Sequence, residues 1–362
     1  MQNARRKFLA QTAALAAAPL ITSISSGQAP ARKLGVALCG LGSLSTNQIA
    51  PALQKTSNCR LAGIITGSPD KAAEWQKKYG LSSKSVYTYD NMHQIAKNKD
   101  IDIVYVVTPN SLHLRDALVA AAAGKHVFCE KPMEISVERC QQMIDACNKA
   151  GVMLGVGYRC QFEPNHLECV RLAREKVFGE LKIIDANFGF AAGDPNQWRL
   201  KRDLAGGGAL MDVGIYCLQT TMMLTGEEPI WISASEVKTD AVKFAEVDET
   251  IVWQSKFPSG VIANCATTYN ASGFQNFRAA CTRGWFGLDP AYYYGGNRGR
   301  RSDRTDINMP PVDQFAVELD DFADCIIRKR ATKVPGEMGL RDVKILTAIY
   351  ESIKKGRPVS LA

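Results

Sequence analysis

The stretch Leu34 to Ser45, LGVALCGLGSLS, constrains this chain more than any other. An apolar run of strand length ends in Gly40-x-Gly42-x-x-Ser45, and a helical pattern follows at once. Gly40 permits the tight turn, and Gly42 lets the backbone approach a pyrophosphate. The helix N-terminus behind them offers unbonded N–H groups and the positive end of a dipole. Ser45 stands where Gly or Ala is usual, but it is still small. Leu41, Ser43 and Leu44 complete the expected phosphate cradle. Such a motif is weak evidence alone. At the first β–α turn of a βαβ pattern it is strong.

That pattern is present. Strands are expected at Leu34–Cys39, Arg60–Thr66, Ile103–Val107, His126–Glu130 and Val152–Gly157, each a near-continuous apolar run suited to a sheet buried on both faces. Helices are expected between them at 44–55, 70–79, 111–123 and 137–150. Ser111 and Ser136 would cap the last two, and Gly124 and Gly151 would end them. Residues 32–157 therefore read as a Rossmann domain with a doubly wound sheet.

After Tyr158 the texture changes. Helices are expected at 163–176, 208–224, 313–330 and 339–355. Strands are expected at 181–190, 230–238, 249–257, 260–270, 274–281 and 285–288. Hairpin signals at Pro258-Ser259-Gly260 and Thr282-Arg283-Gly284 make this sheet open and mostly antiparallel. Residues 158–362 thus read as an α+β domain for substrate binding and dimerisation, and the fold class is α/β. One face of the sheet takes the helices and the other needs a partner, so a homodimer is expected.

The end of the second strand selects the cofactor. NAD enzymes place Asp or Glu there to bond the ribose hydroxyls. Here the chain reads Thr66-Gly67-Ser68-Pro69-Asp70-Lys71, with Asp70 already in the next helix. Nothing repels a 2′-phosphate, and Thr66, Ser68 and Lys71 could bond one. NADP is therefore preferred over NAD.

Residues 1–31 are read as a signal. Arg5-Arg6-Lys7-Phe8-Leu9 and the apolar stretch from Ala13 to Ile21 form a twin-arginine export signal, with cleavage expected after Ala31 or after Ala29. The stretch is too short for a stable membrane anchor. Export by this route carries folded proteins with cofactor bound, so reduced, buried cysteines are expected even in a periplasmic protein. The eleven Cys form no CxxC pair, and the four His (93, 113, 126, 166) have no metal-ligand spacing with them; no metal is expected. The net charge of +8 suits an anionic cofactor better than nucleic acid, because no basic helix or aromatic-interleaved stripe appears. The cluster Arg298, Arg300, Arg301 and Arg304 reads as a loop.

GLG at Gly40, TGSPDK at Thr66, TPNSLH at Thr108, GKHVFCEKPM at Gly124 and GYR at Gly157 are arranged as in the glucose–fructose oxidoreductase/inositol dehydrogenase family, which this chain resembles. DPNQWRLKRDLAGGGALMDVGIYC from Asp194 and PGEMGLRDVKILTAIYESIKKGRPV from Pro335 are similar to its glucose–fructose and aldose–aldose oxidoreductases. The resemblance implies tightly held NADP(H) and a ping-pong cycle that oxidises one sugar and reduces another. It departs in one respect. Few residues separate Ala31 from Leu34, where glucose–fructose oxidoreductases carry a long Pro-rich arm. A dimer is expected in place of their tetramer.

Oxidising a sugar hydroxyl requires a hydride acceptor, a proton acceptor and support for a developing alkoxide. Lys131 follows a buried strand in Glu130-Lys131-Pro132, at the sheet edge where ligands of this fold bind. Its cation would stabilise the alkoxide. Asp212 and Tyr216, four apart after a flexible Gly206-Gly207-Gly208, would share a helix face. Tyr216 is read as general acid/base, with its pKa lowered by Lys131, and Asp212 as positioning the sugar or tuning the lysine–tyrosine pair. Thr108, Pro109, Asn110 and His113 would lie on the nicotinamide side, with His113 structural or functional. Tyr89 would flank the adenine end, and Tyr294 would reach the substrate. By resemblance, Arg159, Trp198 and Arg199 neighbour cofactor or sugar. An exported NADP enzyme must also regenerate its cofactor in place, which independently favours a two-sugar cycle. An ordinary sugar dehydrogenase, a redox-assisted glycosidase and a catalytically silent dinucleotide sensor remain the alternatives.

Overall fold

The computed structural model describes residues 32–361; the signal read at 1–31 lies outside the described residues. Six strands form a parallel sheet: β1 (Leu34–Cys39), β2 (Cys59–Ile65), β3 (Val86–Tyr87), β4 (Ile103–Val106), β5 (His126–Glu130) and β6 (Leu154–Gly157). Their order is β3-β2-β1-β4-β5-β6, so the direction of winding reverses between β1 and β4, where such sheets hold ligands. Val36 through Cys39 and Ile103 through Val106 are completely buried, as a sheet covered on both faces requires. The two-residue β3 is too short to show a period in the sequence.

A π-helical turn, Ser45–Ile49, leads into α1 (Ala50–Leu53), followed by α2 (Pro69–Tyr79), α3 (His113–Ala122) and α4 (Val137–Ala150). Ser136 accepts the Arg139 amide as the N-cap of α4, and Gly151 ends that helix in the left-handed region. Ser111 does not cap α3. It sits inside a 3₁₀ turn, Asn110–Leu112, and α3 begins without a side-chain cap.

The second part contains α5 (Pro164–Arg174), β7 (Leu181–Gly189), α6 (Arg202–Ala205), α7 (Ile215–Thr225), β8 (Trp231–Val237), β9 (Thr250–Lys256), β10 (Ile262–Thr268), β11 (Phe274–Cys281) and β12 (Gly284–Leu288). Then come β13 (Gly299–Arg301), β14 (Asp306–Ile307), α8 (Gln314–Arg328), α9 (Gly336–Lys355) and β15 (Val359–Ser360). The sheet order is β14-β13-β12-β11-β7-β10-β9-β8-β15, antiparallel except between β7 and β10. Ile184, Ala186, Ile251 and Ala263 face the helices and are buried, whereas Ile183 and Val252 on the opposite face are exposed. The arginine cluster is a short hairpin and not a loop: Arg300 pairs with Asp306, and Arg301 with Asp303.

The C-terminal helices return to the first sheet. The Val156 amide donates to the Val334 carbonyl at 2.9 Å, and Asp320 on α8 accepts the amides of Ser57 and Asn58. All eleven cysteines are unpaired, ten of them buried.

Candidate active site

The glycine turn is closed by its own residues. Gly40 has φ 99°, and a Cβ there would meet the Val107 carbonyl oxygen at 2.9 Å. A Cβ on Gly42 would meet nothing within 4 Å, so this position faces open space, as a phosphate cradle needs. Ser45 is buried, and its hydroxyl donates to the Gly40 carbonyl at 2.6 Å. It therefore locks the turn that Gly or Ala would merely permit. Lys71 Nζ donates to the Leu41 carbonyl at 3.1 Å, bringing a cation from α2 to the turn. Thr66 is buried at the end of β2, Ser68 caps α2, and Tyr89 packs beside Gly67. The first carboxylate after β2 is Asp70, inside the first turn of α2.

Gly42, Ser43 and Leu44 line a cavity of roughly 500 Å³ whose other walls include Thr108, Asn110, His113, Glu130, Lys131, Arg159, Trp198, Arg199, Asp212, Tyr216 and Tyr294. Glycine turn and proposed catalytic side chains thus open onto one space. Gly40, Leu41, Thr66, Gly67, Ser68, Lys71, Tyr89 and Pro109 are not in that wall; of the last six, Lys71 reaches the turn through its bond to Leu41.

Lys131 follows β5 at a cis Lys131–Pro132 bond. Its Nζ donates to the Asp212 carboxylate at 3.0 Å and the Asp212 carbonyl at 2.7 Å. The other Asp212 oxygen accepts from Arg199 Nε at 3.2 Å and from the Tyr269 hydroxyl at 2.8 Å. Burial alone would raise the Asp212 pKa, but Lys131, Arg199 and these hydrogen bonds hold it well below the usual carboxylate range. Asp212 therefore pins the lysine and stays ionised.

Tyr216 differs from expectation. Lys131 sits over its ring, 4.9 Å from the centroid, while the hydroxyl accepts from Arg159 Nε at 3.1 Å. Burial drives the Tyr216 pKa upward, and Arg159 only partly offsets this. The phenol is thus protonated, not lowered toward phenolate by Lys131. Arg159 is itself fixed by the Tyr292 carbonyl at 2.7 Å and Gln314 at 2.8 Å, with the Tyr294 ring 4.7 Å from its guanidinium. Arg199 stacks on Trp198 at 4.6 Å.

His113 is structural. Fully buried, it faces the Pro132 and Met133 carbonyls at 3.1 Å and the Thr108 carbonyl at 2.8 Å, tying the turn after β4 to the lysine turn. Asn110 reaches the Ala205 carbonyl at 2.8 Å, and Thr108 reaches Asp116 at 2.8 Å.

Tyr269, Phe188, Gln275 and Tyr292 escaped the sequence reading. All but Tyr269 line the cavity, and Tyr269 bonds Asp212 from the end of β10. Phe188 and Gln275 lie on β7 and β11, whereas Tyr269 and Tyr292 stand outside strands, and no local pattern shows that these segments meet at a cavity. The glycine triplet was also misread. A Cβ on Gly207 would strike the Tyr350 hydroxyl at 2.1 Å, and one on Gly208 the Asp248 carbonyl at 2.0 Å. These glycines serve close packing, not flexibility.

A dinucleotide-type glycine turn sharing one cavity with a buried Lys–Asp pair and a tyrosine defines an oxidoreductase of the Rossmann class. Residues 34–158 match the oxidoreductase family with NAD-binding Rossmann fold, 166–287 the GFO/IDH/MocA C-terminal domain, and 289–361 the oxidoreductase-family C-terminal alpha/beta domain. The chain belongs to the GFO/IDH/MocA oxidoreductase family. It is 31% identical to D-xylose 1-dehydrogenase [NADP(+)] of Haloarcula marismortui over 90% of this chain and 92% of that one. It is 37% identical to trans-1,2-dihydrobenzene-1,2-diol dehydrogenase of Danio rerio over 65% and 68%. The crystal structure of aldose-aldose oxidoreductase from Caulobacter crescentus, complexed with glycerol, superposes with TM-score 0.88 at 40% identity, covering 91% of this chain and all of that one.

Proposed function

We propose that this protein is an NADP(H)-dependent sugar oxidoreductase that oxidises an aldose at C1 to the lactone and reduces a second sugar on the same tightly held cofactor. The observation that carries this reading is the shared cavity, with the glycine turn at one end and Lys131, Asp212 and Tyr216 at the other. Similarity to an NADP(+) xylose dehydrogenase and an aldose-aldose oxidoreductase supports the substrate class. Lys71 at the turn, with no carboxylate ending β2, supports NADP over NAD. Two further readings accompany it: export as a folded protein by the twin-arginine route to the periplasm, and a homodimer formed through the open sheet face that exposes Ile183 and Val252.

The residues present fit a dinucleotide, because Gly42 faces open space and, with Ser43 and Leu44, lines the cavity. When bound there, the nicotinamide supplies a hydride acceptor or donor. The chain supplies the rest. Asp212 holds Lys131 where its ammonium can donate to the sugar oxygen and stabilise a developing alkoxide. Arg159 orients the Tyr216 hydroxyl, which gives its proton to the alkoxide in the reduction half-reaction. Phe188, Phe190, Trp198 and Tyr294 wall the site with aromatic surface and limit water.

The test is a sugar panel on purified protein loaded with NADP. Aldoses, D-xylose and glucose among them, should raise the reduced-nicotinamide absorbance, and a second sugar should bleach it without added cofactor. Free exchange of cofactor at each turnover would indicate an ordinary dehydrogenase. No change with any sugar would reject the reading.

A further inference from the structure

The oxidation half-reaction poses a problem that Tyr216 does not solve, because it arrives already protonated. A proton leaving the sugar needs another acceptor. Behind Lys131 lie two buried carboxyl groups, Glu130 on β5 and Glu318 on α8, bridged by one phenol. The Tyr105 hydroxyl is 2.7 Å from Glu130 Oε1 and 3.4 Å from Glu318 Oε1. The second Glu318 oxygen has no hydrogen-bond partner. Tyr105 has one proton to donate. For both of its contacts to be hydrogen bonds, one carboxyl must be an acid. Glu130 faces the cavity and accepts the Lys131 amide at 3.3 Å, whereas Glu318 is wholly enclosed. The chain of bonds thus runs from a Glu318 acid through Tyr105 to a Glu130 carboxylate. Gly157 makes room for it, since a Cβ there would lie 2.9 Å from Glu130 Oε1.

We propose that Glu130, Tyr105 and Glu318 form a buried proton store that keeps the proton of sugar oxidation inside the protein until the reduction half-reaction consumes it. This rests on the function proposed above. In oxidation, the sugar C–H bond gives its electron pair and hydrogen to the nicotinamide, and the O–H proton comes to rest on Glu130, converting its carboxylate to an acid. In reduction the hydride returns to the second sugar, Tyr216 gives its proton to that sugar's oxygen, and the proton held on Glu130, which lines the same cavity, restores the Tyr216 phenol. Over the cycle no proton enters solvent. The surroundings suit a reversible store: burial raises Glu130, with Lys131, Tyr105 and His113 opposing, and burial with the Glu130 charge raises Glu318, with Arg159 opposing. Tyr105 and Glu318 touch no substrate and act through Glu130.

The experiment reduces loaded enzyme with an aldose in weak buffer containing a pH-indicator dye. The wild type should form reduced cofactor with little proton release, and its reduction equilibrium should be nearly independent of pH. Glu130→Gln should release one proton per hydride, shifting that equilibrium tenfold per pH unit. Stoichiometric proton release by the wild type overturns the proposal, whereas absence of any cofactor reduction overturns the underlying function instead. A second measurement needs no cofactor. Infrared spectra of the unloaded protein should contain a protonated-carboxyl C=O band that Glu318→Gln removes. Absence of that band from the wild type also overturns it.

Discussion

Replacing Asp212 with Asn tests the centre of the site. Asn keeps the shape and one acceptor but removes the charge that Lys131 and Arg199 share. The two side chains of the Lys131–Asp212 pair are only 11% and 18% exposed, so solvent cannot substitute fully. Stripping one partner from a buried pair costs about 3–5 kcal/mol. Here Lys131 keeps the Asp212 carbonyl at 2.7 Å, which places the stability loss at the lower end, about 3 kcal/mol. A similar loss of lysine orientation in the transition state would lower kcat roughly a hundredfold. Stopped-flow reduction of bound cofactor at saturating sugar measures the rate, and urea unfolding measures stability. The pH dependence follows from the depressed Asp212 pKa. Its stabilisation is present above the unfolded carboxylate value, about 3.9, and is lost as pH falls through the lower folded value. The stability gap between wild type and variant should stay constant near neutrality and close in acid. Should the variant fail to fold, Tyr269→Phe removes a single donor to the ionised carboxylate and should cost about 2 kcal/mol. Rates within threefold of wild type, with the fold intact, would refute the assignment of Asp212 as the group that positions Lys131.

Other expectations are equally direct. Tyr216→Phe should lower the single-turnover rate of the sugar-reduction half-reaction by about 10²–10⁴ while cofactor absorbance is retained, because Arg159 keeps its bonds to Tyr292 and Gln314. Lys71→Glu should weaken NADP binding by roughly tenfold or more and shift preference toward NAD, measured by competitive titration; unchanged preference would remove Lys71 from the 2′-phosphate site. His166 gives a stability signal at alkaline pH. Burial opposes its charge, yet Cys160 and Glu163 beside it raise it to about 9. Its contribution is complete below the unfolded value of about 6.5 and is lost as pH rises through 9. The difference in urea midpoint between wild type and His166→Asn should therefore narrow across that interval.

The parallel sheet was legible because each of its longer strands is a buried apolar run, and the glycine turn because Gly40 and Gly42 answer a backbone requirement that few sequences mimic. The lysine was legible from its place after β5. The partners of these groups were not. Asp212 is bonded by Tyr269, which comes from the end of a distant strand, and Tyr216 is oriented by Arg159 through a side-chain fork whose other contacts come from residues 292 and 314. Long-range pairings of this kind leave no period in the sequence. Lys131, the cation nearest in the motifs, suggests a lowered Tyr216 pKa, whereas burial among neighbours such as Phe188 and Tyr292 dominates it.

The helix carrying Asp212 and Tyr216 shows why spacing alone was an incomplete argument. Four residues apart in a regular α-helix would place both on one face. Here Leu210–Gly214 is a π turn, in which the Ile215 amide reaches back to the Leu210 carbonyl. The helix start is held by Asp248, which accepts the Gly208 amide at 2.6 Å and the Leu210 amide at 2.8 Å while bonded to the Tyr350 hydroxyl at 2.6 Å. Gly207 and Gly208 are required because Tyr350 and Asp248 occupy the space a side chain would need. The Asp212 carbonyl, in that widened turn, is the second anchor for Lys131. Wide turns of this sort recur at functional sites. Two residues far from the motif, Asp248 and Tyr350, thus set where the lysine's partner stands. Asp248→Ala should therefore disturb Lys131 positioning without touching any residue that lines the cavity.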